Sequence, residues 1–475
     1  MTTRPARITT PRCAAALPLF LVLALSGCTT FSDDGGFTPV TQAAKDRLGK
    51  DAVWARSDAE QQTVAARVNE LLAQPLSVDA AVQVALINNK GLQAGYYELG
   101  LSEADLVQAG RLPNPGFVFA HKTQGGELEI ERLFTINLMR LLTMPLAMDI
   151  ESRRFEQTQR AVTMQMLSLA SETRKAYFEA VAAEETVRYM RRAMEAAQAG
   201  AELARKMAQV GNWTKLQQAR EQGFYADAAL SLARAEQART ASRERLIRLM
   251  GLGLRAGETE FRLPERLPDL PKRADELPDI EQRAMKRRLD IQSVRLSTEA
   301  LAANLGLTKA TRFINVLEVG VIHNSFNDAP NQRGYEIAIE IPLFDWGTAR
   351  VAQAEAIYGQ AVNRMAETAV NARSEVRQAY LNYRASYDIA QHYRDEIVPI
   401  RKRISEENLL RYNGMLIGVF ELLADARAQI ASVNGYIEAL RDFWLAQADL
   451  EMAQIGRPSP GGTMRPTLSS AAAEH

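Results

Sequence analysis

Cysteine is almost missing from these 475 residues: there are two, Cys13 and Cys28, and Cys13 lies inside an amino-terminal leader. With one cysteine left once the leader is removed, no intramolecular disulfide can form. An excess of either charge is also missing. Lys plus Arg and Asp plus Glu each total 57, so no net field points to nucleic acid or another polyanion. After the leader no apolar run approaches about 18 residues, which excludes a membrane-spanning helix and leaves any bilayer role to strands. Ser-His-Asp, Cys-His, paired-carboxylate and phosphate-loop patterns are lacking, so the chain reads as no enzyme and needs no cofactor. His121, His323 and His392 have no ligand-like spacing. Met139, Met144, Met148, Met164 and Met166 form a loose cluster, and thioethers suit Cu(I), but core filling by a flexible side chain accounts for them better. No metal site is expected.

At the amino terminus Arg4, Arg7 and Arg12 precede an apolar run from Ala14 to Leu25, followed by Leu25-Ser-Gly-Cys28. A positive start, a short apolar core and small residues before a cysteine predict a secretory signal over 1–27. The Leu-Ser-Gly-Cys spacing is that of a bacterial lipobox, which predicts cleavage before Cys28 and acylation of its thiol. Thr29 rather than aspartate follows, which favours the outer membrane. Thr29 to Ser57 is polar and reads as an extended tether, and Asp58 to Ala73 as a short helix, so 28–75 is a lipid-anchored tether with a short helix. The tail, 457–475, carries small residues, Pro and Gly and reads as disordered.

Proline is missing from 146–251, where glycine is reduced to Gly200, Gly211, Gly223 and Gly251. Ala, Glu, Gln, Arg, Leu and Met fill the stretch, which favours helix throughout. Two helices of about 65 and 37 residues follow, broken at Gly211-Asn212, and the first would extend roughly 100 Å. A helix that long needs partners along its length. The pattern then recurs. Arg174-Lys-Ala-Tyr177 returns as Arg377-Gln-Ala-Tyr380, Gly211 as Gly414 and Ile136 as Ile339, all 203 residues on; earlier, Ala85 returns as Ala284 and Leu92 as Ile291, 199 on. A constant offset marks an internal duplication, with repeats over 76–275 and 276–456. Val362, Ala366, Ala369, Arg373, Val376, Tyr380, Tyr383, Tyr387 and Ala390 predict a coiled-coil seam in the second long helix, with a kink at Pro399.

Each repeat opens with a helix, the first from Ser77 to about Gly110, and continues with two strands. These are placed at about 117–122 and 133–141 in the first repeat and at about 315–324 and 334–343 in the second. Tyr335, Ile337, Ile339, Ile341 and Leu343 alternate with Glu336, Ala338 and Glu340, the period of a half-buried strand. A lipid-facing barrel strand alternates in the same way over about 9–11 residues, and so does a soluble hairpin packed on a helix. Four strands cannot close a membrane barrel and open edges are not tolerated in hydrocarbon, so a barrel requires several copies of the chain.

The lipobox, the duplicated order of helix, strand pair and long helical hairpin, the Ile341-Pro-Leu-Phe-Asp-Trp-Gly347 segment and the Arg411-Tyr-Asn-Gly414 turn resemble the TolC-like outer-membrane efflux factor family over roughly 76–456. The resemblance implies a mainly α fold with a small β part. Two repeats of helix, β-hairpin and long α-helical hairpin would build, in a homotrimer, a 12-stranded outer-membrane β-barrel continuous with a periplasmic α-helical barrel. It implies passive conduction of small molecules or metal ions in a tripartite pump of a Gram-negative cell, with a periplasmic adaptor and an inner-membrane transporter of the RND type as partners. Outer-membrane lipid surrounds the channel and nucleic acid has no part. Two turns would form the periplasmic, adaptor-contacting tip: Val210-Gly211-Asn212, keeping two residues of a Val-Gly-Leu-like turn, and Tyr412-Asn413-Gly414. Tyr412, Glu421 and Asp425 fall near the family's periplasmic gate, with Ala424 where an acid is usual. Plain helix termination accounts for the turns equally well, and a solvated helix face for Glu421 and Asp425. The competing reading of the chain is a soluble periplasmic coiled-coil lipoprotein, a scaffold or adaptor without a barrel.

Overall fold

Capping chemistry sets where several helices of this chain begin. In the computed structural model, which describes residues 30–254, 257, 260–314 and 316–457, helix α2 (Asp58–Leu72) starts on a reciprocal cap. The Ser57 hydroxyl accepts from the Glu60 amide at 3.3 Å while the Glu60 carboxylate accepts from the Ser57 amide at 2.9 Å. Before it, α1 (Thr38–Leu48) carries proline in its first turn. The tether expected over Thr29 to Ser57, of which Thr29 lies outside the described residues, is therefore not extended over Thr38–Leu48. Phe37, Val40, Ala44 and Trp54 are buried, and Phe37 meets the Tyr96 ring edge-on at 4.7 Å, so aromatic burial outweighs the polar composition around it.

The single helix expected from Ser77 is two, α3 (Val78–Asn88) and α4 (Lys90–Ala109). The break is chemical. Asn88 and Asn89 turn their side-chain amides onto the carbonyls of Leu249, Met250 and Gly251, and Asn89 Oδ1 accepts from the Leu92 amide, capping α4. The second repeat breaks 199 residues later at Arg288, between α7 (Ile280–Arg287) and α8 (Leu289–Thr311), with nearly the same backbone, ψ 126° against 116° at Asn89.

Four strands follow the order β1 (Gly116–Gln124), β2 (Glu127–Asn137), β3 (Leu317–Phe326) and β4 (Gln332–Ile339), all antiparallel. The second strand runs from Glu127 to Asn137 rather than over 133–141; it ends there because Asn137 Oδ1 accepts from the Arg140 amide at 2.7 Å and starts the next helix. The last strand ends at Ile339 rather than Leu343, three residues short of Pro342, which has no N–H to give a ladder. The third is Leu317–Phe326 against an expectation of 315–324, of which residue 315 lies outside the described residues, and the first extends from Gly116 to Gln124 rather than over 117–122. Gly125 and Gly126, both at positive φ, make the tight turn of the first hairpin.

The remaining helices are α5 (Leu138–Gln209), α6 (Lys215–Met250), α9 (Thr348–His392), α10 (Val398–Asn413) and α11 (Val419–Ala453), with one π-helical turn, Tyr393–Ile397, between α9 and α10. Helix α5 has 72 residues and α6 has 36. The seam of α9 is Ala372, Val376, Ala379, Tyr383, Tyr387 and Ala390. Of the expected positions it keeps Val376, Tyr383, Tyr387 and Ala390; Val362, Ala366 and Arg373 are exposed, Ala369 and Tyr380 are half-buried, and Ala372 and Ala379 take buried places. Where a kink is expected at Pro399, a π turn ends two residues before it, at Ile397.

These elements form two compact units, and each repeat contributes to both. One holds the sheet, within Glu98–Gln159 and Ser293–Ala366, together with the described residues up to Gly36. In it Gly347, at φ 70°, brings the backbone so close to the Arg312 carbonyl that a Cβ would stand 2.7 Å from its oxygen, which is why the Phe-Asp-Trp-Gly347 segment ends in glycine. The other unit comprises Phe37–Tyr97, Arg160–Gln292 and the described residues from Glu367 on. Its core gathers Tyr177, Phe178, Val181, Leu246, Met250, Tyr383, Tyr387, Leu440 and Phe443, each worth about 2 kcal/mol of burial. Phe178 stacks on Trp444 at 5.2 Å. The segment joining the repeats is pinned there by Trp444 Nε1 donating to the Pro268 carbonyl and Tyr387 Oη donating to that of Pro271.

Candidate functional site

Antiparallel register places directly opposed residues on one face, and alternate residues along a strand share it. Applied to the sheet, this sorts chemistry by side. One face carries Phe117 and Phe119, then Phe134 and Ile136, then Leu317, Val319 and Val321, then Tyr335, Ile337 and Ile339. Most are exposed, Tyr335 by 80% and Val321 by 63%. The opposite face carries Glu127, Glu129, Glu131, Glu318 and Glu336. Every carboxylate in the strands lies on that second face. Lys122 lies there too, paired with Glu131 at 2.7 Å, and Asn324 donates to Glu129 at 3.3 Å. A sheet with one apolar and one acidic face fits a wall between hydrocarbon and water.

The wall is incomplete. Neither β1 nor β4 has a second neighbour within the sheet, so each presents a row of unpaired backbone groups beside an apolar surface. Hydrocarbon tolerates no such edge.

In the helical unit, the two predicted turns differ in a way the aligned glycines conceal. In the first, Gly211 is left-handed at φ 79°, its amide donates to the Ala208 carbonyl and that of Asn212 to Met207. In the second, Gly414 has φ −81°, and Met415 takes the left-handed place at φ 58°, with its amide on Tyr412 and that of Leu416 on Arg411. Gly211 therefore corresponds to Met415, not to Gly414, and the offset here is 204. Thr214 and Gly418, the N-caps of α6 and α11, keep the same 204 spacing. Val210 is exposed by 70% and Met415 by 93%, with Asn212, Tyr412, Asn413 and Gly414 also exposed, so both turns present their side chains outward.

Of the acidic candidates, Glu421 is exposed and Asp425 half-buried in the first two turns of α11, and neither has an ion-pair partner among the described residues. Ala424 between them is exposed. Sequence reasoning missed a carboxylate close by. Glu221 on α6 is 1% exposed and receives Arg427 of α11 at 2.5 Å, while the Arg427 guanidinium lies over the Phe224 ring at 4.3 Å. Gly200 on α5 faces the same spot, where a Cβ would stand 3.7 Å from Glu221 Oε2. Glu221 and Arg427 stand 206 residues apart, so only the packing of α6 on α11 reveals the pair.

A second network closes the break at Arg288. Its guanidinium, 1% exposed, reaches Asp290 and Glu375 at 2.6 Å each and donates to the carbonyl of Ala453 at 3.1 Å. Burial alone would lower its pKa, but the hydrogen bonds and charges of Asp290 and Glu375 outweigh it and raise it. Among the described residues no cluster of His, Cys, Asp or Glu has the make-up of a metal site, and Cys28 lies outside them.

The family described as outer membrane efflux protein matches residues 280–450. A comparison with curated proteins finds no match. Among solved structures, the chain is similar to a membrane protein from Pseudomonas aeruginosa, at 17% identity and TM-score 0.69, covering 79% of this chain and 93% of that one. The open state of the Neisseria gonorrhoeae MtrE outer membrane channel gives 17% identity and 0.67, covering 80% and 89%. The Campylobacter jejuni CmeC outer membrane channel gives 17% and 0.63, covering 87% and 91%. At such identity the likeness establishes the fold.

Proposed function

We propose, from the premise that residues 280–450 form an outer membrane efflux protein domain and that the chain has the fold of outer-membrane channels, that this protein is the outer-membrane duct of a tripartite efflux system. One observation carries the reading: a single chain supplies an open four-stranded sheet, apolar on one side and acidic on the other, with both edges unpaired. Three copies make twelve strands and leave no edge. The acidic faces then line the water-filled lumen, and the helices of the three copies surround the periplasmic passage.

Conduction is passive. The duct holds no chemistry of its own and takes its cargo, small molecules or metal ions, from a periplasmic adaptor and an inner-membrane transporter of the RND type. The turns at Val210-Gly211-Asn212 and Tyr412-Asn413-Gly414-Met415 meet the adaptor. Glu421 and Asp425, repeated three times about the axis, form carboxylate rings that favour cations at the gate, and Tyr412 stands beside them. Acylated Cys28 anchors each copy to the outer membrane. Extracted from outer membranes in mild detergent, the protein is expected to sediment as a trimer whose gel migration shifts on boiling. A monomer, with strands protected without lipid or detergent, overturns the duct and favours the soluble scaffold.

A further inference from the structure

On the apolar face of the sheet the register sets one cross-strand row of a different character. Arg132 on β2 stands opposite His323 on β3, and His323 opposite Arg333 on β4, while Phe119 on β1 completes the row beside Arg132. One step toward the helix-bearing ends of the strands lies the row Phe117, Phe134, Val321 and Tyr335; one step further on lie Ile136, Val319 and Ile337. On the other side of the basic row lie His121, Ile130 and Ser325, then Thr123 and Leu128, and beyond them the hairpin turns, Gly125-Gly126 and Asn327 to Asn331. The cations thus sit at the margin between apolar rows and the turns, on a face whose strands carry no carboxylate at all. Arg132 Nη1 donates to the Ser325 hydroxyl at 3.0 Å, which draws its guanidinium toward the turns and away from the phenylalanines. Neither arginine pairs with a carboxylate among the described residues, whereas Lys122, on the opposite face, does.

An unpaired guanidinium on a face otherwise built for hydrocarbon is costly unless an anion meets it at the boundary. The one occupant that supplies both hydrocarbon for the apolar rows and anionic oxygens for the row above them is a lipid with a phosphorylated headgroup. We infer that Arg132, His323 and Arg333 bind the phosphate groups of a glycolipid in the outer leaflet, with its acyl chains against Phe117, Phe134, Val321 and Tyr335. Two arginines, on β2 and β4 with His323 on β3 between them, give forked donors matched to phosphate oxygens, and the trimer presents three such rows around its circumference. The inference rests on the duct reading, since it needs the apolar face in a bilayer and the turns on the outer side.

The test uses the full-length trimer in detergent, titrated with diphosphorylated lipid A and with its dephosphorylated form. Diphosphorylated lipid A is expected to bind more tightly, with an affinity that falls as salt rises. Each cation near an anionic lipid surface is worth about fivefold, so R132Q with R333Q should weaken binding by about 25-fold. K122Q should leave it unchanged, and millimolar inorganic phosphate should not compete. Equal binding of both glycolipids, an unaltered R132Q/R333Q variant that is still trimeric, or full displacement by free phosphate each overturns the inference while leaving the duct intact. A monomer before any lipid is added removes the duct reading instead.

Discussion

Met415 is the residue whose strain is open to direct measurement. A side chain in the left-handed region costs about 1–2 kcal/mol, and here the chain places methionine where the first repeat places Gly211. Met415→Gly should relieve about 1 kcal/mol of this, less the backbone freedom glycine loses on folding. Slower hydrogen exchange at the Leu416 amide, which bonds the Arg411 carbonyl, by up to about fivefold is the expected reading. Exchange as fast as in the parent protein would show that the turn carries no strain. That the strained side chain is 93% exposed and not packed suits a residue kept for contact rather than for folding. The aligned glycines could not reveal this, because residue identity at 203 spacing is blind to which of two neighbours adopts positive φ.

Between the paired tyrosines Tyr177 and Tyr380 and the turns, the second repeat gains one residue. Tyr177 and Tyr380 are 203 apart, whereas Gly211 and Met415 are 204 apart, and α5 runs unbroken through this stretch while the second repeat has the π turn Tyr393–Ile397. A π turn is how a helix takes in a single extra residue without rotating everything beyond it. Tyr393 is accommodated by Gly435, where a Cβ would stand 2.8 Å from the tyrosine oxygen. Deleting Glu396 should therefore leave a trimeric protein with unaltered helix content, because the ladder reverts to ordinary bonding with the later side chains in register. Deleting exposed Ala385, inside α9, should abolish the trimer, because it turns Tyr387 and Ala390 out of the seam by about 100°. If both deletions assemble alike, or if the Glu396 deletion fails as badly, the insertion account is wrong and Pro399 alone causes the π turn. At this scale element type was legible in the sequence for the long helices and the strands, from helix propensity and period-two alternation, but not for Thr38–Leu48, whose polar composition reads as a tether. Boundaries were not, because Asn137 and Asn89 act through single hydrogen bonds that composition does not record.

For the whole molecule, the two faces of the sheet should respond oppositely to the same charge. Ile337→Arg places a cation on the apolar face at a cost of about 2–4 kcal/mol near the bilayer centre, and should abolish heat-modifiable trimers in outer-membrane fractions while the helical circular dichroism signal persists. Glu336→Arg, one residue away on the acidic face, should assemble normally. Two variants with equal yields of trimer would mean that the sheet does not face lipid. The amino-acid sequence by itself determined the duplication, the helical character of the long stretches, the alternation of the strands and, for strands that span a bilayer, the need for more than one copy, since period, propensity and strand count are properties of local order along a chain. Tertiary structure alone decided which repeat residues truly correspond at the turns, that Glu221 buries itself against Arg427, and that the strand carboxylates and arginines lie on opposite faces. Those depend on register and on contact between segments hundreds of residues apart, and a one-residue shift in either, invisible in composition, would have reversed them.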